Sequence, residues 1–203
     1  MKNIFYLKLD NLYNENDISD LYKSKEYYKC LELCDAIIKT DPDNDTANNY
    51  KAICLLHLGY YGEAIKVYNK LITTNINFSH YVFRGDCYYK LAQYDNALQD
   101  FIKALDMEPK TGGVWQRVAE TYFMMGDFEE AHVNIDRAIK MSNKNFDTWA
   151  MKAVFYKFQG KDIEASRMFS EIRKVYPNNE LIIDQQFEIL AKTFDNNKNI
   201  TSI

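Results

Sequence analysis

The chain has 203 residues, 47% hydrophobic, 15% aromatic and 27% charged, with a formal net charge of −4. These values suit one folded domain or a short repeat array, and seven Gly with three Pro are too few for a turn-rich β-sandwich. Acidic and basic residues are interspersed with no basic stripe, which argues against nucleic acid and anionic membranes as partners.

From the N-terminus, Ile4-Phe5-Tyr6-Leu7 is cut short by Lys8 and Asp10, so no secretory core forms. No later stretch approaches the roughly 18 apolar residues of a membrane span, and no membrane insertion is expected. Residues 1–10 fit a stray strand, a capping segment or a partner-binding arm. Cys30, Cys34, Cys54 and Cys87 show neither metal nor disulfide spacing, although Cys30 and Cys34 lie one helical turn apart. Packing is the expected role of all four. Unpaired cysteines point to a reducing, cytoplasmic setting, in which the sequons at Asn44, Asn77 and Asn199 are incidental.

From residue 11 onward a period dominates. Pro42, Pro109 and Pro177 are separated by 67 and 68 residues, and Trp115 and Trp149 by 34. Gly126 and Gly160 are 34 apart, with Gly59 another 67 upstream. Ala64, Ala97, Ala131 and Ala165 step by 33, 34 and 34, each followed four residues on by Tyr68, Phe101, Ile135 or Phe169. Such agreement among residue types marks an array. Within one period, Trp115, Val118, Ala119, Tyr122 and Met125 recur at three- and four-residue steps before Gly126. Phe128, Ala131, Ile135 and Ala138 repeat the spacing. Each period is therefore expected to be two antiparallel helices, and one pair cannot cover its own apolar face without a stacked neighbour.

Five units follow: 11–44, 45–77, 78–111, 112–145 and 146–179. Their spacing resembles the tetratricopeptide repeat, which takes large residues at repeat positions 4 and 11, small at 8, Ala at 20, aromatic at 24, small at 27 and Pro at 32. Unit 78–111 supplies Tyr81, Gly85, Tyr88, Ala97, Phe101, Ala104 and Pro109. Unit 112–145 supplies Trp115, Ala119, Tyr122, Ala131, Ile135 and Ala138, with Asn143 in place of Pro. Unit 146–179 supplies Trp149, Ala153, Tyr156, Ala165, Phe169, Ile172 and Pro177. Unit 45–77 is weaker, with Asn48 at position 4. Unit 11–44 keeps Tyr27, Cys30, Cys34, Ile37 and Pro42 but has Asn14 and Ile18 at its early signature positions. The resemblance implies an all-α, right-handed superhelical solenoid of antiparallel helix pairs. Leu181, Ile183, Phe187, Leu190 and Phe194 then suggest a capping helix over 180–194, its polar side (Asp184, Gln185, Glu188, Lys192) in water. Residues 195–203 read as a flexible tail.

No catalytic motif accompanies the repeats. His57, His80 and His132 are isolated from one another, and no nucleophile motif, phosphate loop or paired-histidine metal site is present. Asp41, Asp43 and Asp45 imitate the start of a calcium loop, which fails at Thr46 and Ala52. No enzyme activity, cofactor or metal is expected.

In similar proteins the first helix of each pair lines a concave groove through repeat positions 2, 5, 9, 12 and 13. Carried over, the resemblance puts there Asn49, Ile53, Leu56 and His57, then Val82, Asp86, Tyr89 and Lys90. The next units give Gln116, Glu120, Phe123 and Met124, then Ala150, Val154, Lys157 and Phe158. Tyr89, Phe123, Met124 and Phe158 fall outside the packing signature and so are expected to face a partner protein or peptide segment. One subfamily clamps the C-terminal carboxylate of heat-shock chaperones, and of the matching positions here only Arg117 has a suitable side chain, so that clamp is not expected. An adaptor or chaperone-like module is the leading expectation. The alternative is a structural protein that self-associates, for instance as a homodimer, through its end repeats or N-terminal segment.

Overall fold

The computed structural model describes residues 15–142 and 145–177, together with residues 185, 188 and 192. Among them are ten α-helices and no strand. They are α1 Glu15–Lys23, α2 Tyr27–Thr40, α3 Asp45–His57, α4 Tyr61–Thr74 and α5 Phe78–Lys90, then α6 Tyr94–Met107, α7 Gly112–Met125, α8 Phe128–Met141, α9 Phe146–Phe158 and α10 Asp162–Val175. The N-terminal segment 1–10 and the tail 195–203 lie outside the described residues. So does the expected capping helix, apart from Gln185, Glu188 and Lys192. These three are helical and exposed, and Glu188 and Lys192 stand 3.8 Å apart.

The chain divides into two compact units, Met1–Leu91 and Ala92–Ile203. In the first, α1 packs on α2 and α3, and α3 packs on α2, α4 and α5. In the second, contacts run in succession from α6 to α10, closest between α7 and α8 and between α9 and α10.

Small residues set the spacing of the helices. Ala64, Ala97 and Ala131 are wholly buried and Ala165 nearly so, and Cys30 takes the same place in α2. On the first helices Ala52, Ala119 and Ala153 are equally inaccessible. Helices meet closely where neither projects a long side chain, and large residues one turn away (Tyr68, Phe101, Ile135) fill the space left. The Asn48 exception in unit 45–77 now has a physical reason. Trp115 Nε1 donates to the Pro109 carbonyl at 2.9 Å, and Asn48 Nδ2 donates to the Pro42 carbonyl at 3.1 Å. The side chain differs while the tie between successive pairs is kept.

Turns follow the same period. Gly59, Gly126 and Gly160 adopt φ of +83°, +86° and +69°, ending α3, α7 and α9 in the left-handed region. Each turn closes with a bond reaching five residues back, Tyr60 N–H to Leu55, Asp127 to Tyr122 and Lys161 to Tyr156, all at 2.9 Å. Lys25 and Ala92 occupy the equivalent places with φ of +60° and +56°. Asn44, Asn77 and Asn145 cap α3, α5 and α9 by accepting a backbone N–H from the first turn. Asparagine at 44 and 77 thus has a structural role of its own.

An L-residue with a Cβ is strained in the left-handed region, by about 1–2 kcal/mol. Ala92→Gly is therefore expected to stabilise the protein by roughly 0.5–1 kcal/mol in urea unfolding, with the slope of the transition unchanged. Ala131→Leu should act in the opposite direction and cost about 1–3 kcal/mol, because it wedges α8 away from α7. An Ala131→Leu protein as stable as its parent would show that the helices do not meet closely at this point.

Candidate functional site

The inner face of the first unit is formed by the first helices α1, α3 and α5. Asn49 lies within it, but both ends of its amide are engaged. Nδ2 donates to the Asp45 carbonyl at 2.9 Å, and Oδ1 lies 2.6 Å from His80 Nε2. Ile53, Leu56, Val82, Asp86 and Tyr89 are half-buried, with Leu56 partly absorbed by the core around Tyr68. His57 stacks on Tyr27, ring centroids 4.6 Å apart, and its Nε2 lies 3.1 Å from the Tyr22 hydroxyl. Lys90 is exposed.

In the second unit the first helices are α7 and α9. Gln116 Nε2 donates to Glu120 Oε1 at 2.9 Å, and Arg117 Nη1 donates to Glu120 Oε2 at 3.1 Å. Glu120 is consequently a buried carboxylate, 4% exposed, with both oxygens occupied. Gln116 Oε1 also accepts from Thr148 Oγ1 at 2.8 Å, joining α7 to α9. Lys157 is exposed and paired with Asp162.

The aromatic residues of this unit require a correction. Phe123 was expected outside the packing, yet it is 1% exposed and stacks on Phe155 with centroids 4.3 Å apart and planes 5° apart. Phe128 and Phe158 close on it at 5.1 and 6.2 Å. Val154 and Ala150 are buried too. Three apolar residues in a row, Tyr122-Phe123-Met124, leave the helical phase ambiguous, and the partner ring at Phe155 decides that Phe123 turns inward. Met124 and Phe158 remain half-buried against the same cluster. From the expected aromatic set, Tyr89, Met124 and Phe158 keep solvent contact, and Phe123 does not.

Tyr22 was missed. It occupies repeat position 12 of the first unit, the place of Tyr89 in the third, and carrying the groove positions back to unit 11–44 would have found it. Tyr50 and Phe83, both at position 6, join Tyr22 around a cavity described below.

All four cysteines are free and buried, and Cys30, Cys34 and Cys54 share one core cluster. Burial pushes the Cys34 and Cys54 thiols up, and each neighbours Cys30, so they pack as neutral groups. Among the described residues no group of three or more His, Cys, Asp or Glu could hold a metal ion, and no helix is long and apolar enough to cross a membrane.

An array of antiparallel helix pairs repeating at about 34 residues belongs to the helical-repeat class of folds. The tetratricopeptide repeat family model matches residues 81–111, and the ten described helices are consistent with about five such pairs. A DnaJ homolog subfamily C member 7 homolog of Dictyostelium discoideum is 24% identical over 78% of this chain and 26% of its own length. A TPR repeat-containing protein of Methanocaldococcus jannaschii is 22% identical over 76% of the chain and 25% of its own. The chain thus spans about a quarter of the length of the curated relatives it matches. Among solved structures, MamA of Desulfovibrio magneticus superposes with a TM-score of 0.72 at 14% identity, covering 81% of this chain and 94% of that one. A thermophilic TPR protein of Thermus thermophilus gives 0.71 at 18%, covering 87% and 98%. These likenesses establish the fold.

Three histidines are expected to make this fold sensitive to pH. Burial pushes His57, His80 and His132 below the ordinary 6.5 of imidazole. Once the pH falls below about 6.5 the unfolded chain binds more protons than the folded one, so stability rises with pH through that window and is lost as pH drops. The melting temperature should be flat between pH 8 and 7 and fall from pH 6.5 towards 5. Replacing all three histidines with Gln should flatten this decline, and an unchanged pH profile in that variant would assign it to other groups.

Proposed function

We propose that the chain is a protein-interaction module of the adaptor or co-chaperone type, holding a segment of another polypeptide against its first helices. The observation that carries this reading is the set of half-buried apolar and aromatic side chains along the first helices. They are Ile53, Val82 and Tyr89 in the first unit and Met124 and Phe158 in the second. Their counterparts on the second helices, Tyr68, Phe101 and Ile135, are buried completely. Partly exposed apolar groups along the first helices offer contact area to a partner. Likeness to a DnaJ homolog and, over 42% of the chain at 25% identity, to the heat shock protein STI1 of Saccharomyces cerevisiae supports the co-chaperone class. The residues do not support a carboxylate clamp, since Arg117 alone qualifies and is already paired with Glu120.

The test pairs a thermal melt with capture of the partner from the native cell. A Tyr89→Ala, Met124→Ala double variant should lose tenfold or more in capture while its melting temperature moves by only a few degrees. Phe123→Ala is the contrast: it empties a core site and should cost about 3–5 kcal/mol of stability. Undiminished capture by the folded double variant would rule out the inner face. A dimer in light scattering that captures nothing would favour the self-associating alternative.

A further inference from the structure

In the first unit a cavity of about 260 Å³ is lined by Tyr22 of α1, Asn49, Tyr50 and Ile53 of α3, Tyr68 of α4 and Phe83 of α5. Five of these residues reach solvent and Tyr68 does not. None carries a formal charge. The Tyr22 hydroxyl is taken by His57, and the Asn49 amide by Asp45 and His80. Tyr68 differs: it is 1% exposed, and its buried hydroxyl has no hydrogen-bond partner among the described residues. A buried polar atom left unpaired is costly and needs a physical explanation.

The lining selects its occupant. The lining residues offer no charge to pair with an ion, and Asp86, half-buried on α5 and acting on the Tyr68 phenol, opposes an anion, so the lining fits a neutral group best. An apolar cavity of about 150 Å³ suffices for benzene, so the space here admits a substituted ring with its tether. Aromatic walls favour a ring packed edge-on or offset, and the Tyr68 hydroxyl calls for a group at the tip that can exchange a hydrogen bond. We propose that this cavity is an anchor pocket for one tyrosine side chain of a partner segment, packed against Tyr22, Tyr50 and Phe83 and hydrogen-bonded through its hydroxyl to Tyr68. The proposal rests on the inner-face reading above, because Asn49 and Ile53 belong to both surfaces. Burial pushes the Tyr68 phenol up, so it remains a protonated donor at any working pH.

Side-chain analogues test the pocket without a partner. In ligand-observed NMR on the full chain, p-cresol should bind roughly ten times more tightly than toluene, and n-butylammonium should not bind. Tyr68→Phe should erase the preference for p-cresol and leave toluene binding intact, and Ile53→Trp, which fills the cavity, should abolish both. Equal binding of p-cresol and toluene to the parent, or preferred binding of n-butylammonium, would overturn the proposal. A dimer that p-cresol dissociates would instead assign the pocket to a second copy of the chain. Failure with p-cresol beside Tyr89-dependent capture rejects the pocket alone. Success with p-cresol beside Tyr89-independent capture rejects the inner-face reading and keeps the pocket.

Discussion

The close approach of helices at Ala and Cys is the constraint on which the rest of this structure depends. Ala64, Ala97 and Ala131, with Cys30 in the first pair, are wholly inaccessible. A larger side chain at any of them would hold two helices apart and open the space that Tyr68, Phe101 or Ile135 now fills. The short turns serve the same end. Helices that meet closely need a reversal within about three residues, and a left-handed residue closing a six-residue backbone loop supplies it. Glycine accepts that conformation at no steric cost. The chain nevertheless accepts Lys25 and Ala92 there, which places the geometry of the turn above the comfort of the residue in it.

Much of this was legible in the sequence because it is periodic. Alanines at steps of 33 and 34 and glycines at 34 and 67 can be read with a ruler, and the helix pairs follow from them. Side-chain direction was less legible wherever apolar residues run consecutively. Tyr122, Phe123 and Met124 each satisfy a helical phase, and only the parallel ring of Phe155, 4.3 Å away and thirty-two residues later, selects Phe123 for the core. No local pattern holds that information. The substitution of Asn48 for a large residue was opaque for another reason, since its value lies in a hydrogen bond to Pro42 and not in its volume.

The inner face also looks different once its polar side chains are followed to their partners. Read as a sequence, Asn49, Gln116 and Glu120 are groups that await a ligand. In the structure they tie first helices to one another: Asn49 meets His80 across α3 and α5, and Gln116 meets Thr148 across α7 and α9. The two ties span 31 and 32 residues, nearly one repeat, and join successive first helices within each unit. Glu120, enclosed by Gln116 and Arg117, extends the second tie into a buried network whose members depend on one another for satisfaction.

This has a consequence for recognition. A partner that competed for Asn49 or Glu120 would have to break an existing buried bond before making its own, and would gain little from the exchange. Polar selectivity on the inner face therefore falls to atoms the repeat has not already used. In the first unit the Tyr68 hydroxyl is such an atom, and it stands among rings in place of charges. Affinity would accordingly come from apolar and aromatic contact and depend weakly on salt, unlike recognition of a carboxylate by a set of cations. The one clamp-like arginine, Arg117, is tied to Glu120, so a partner held on this face would rely on aromatic contact in place of a carboxylate clamp.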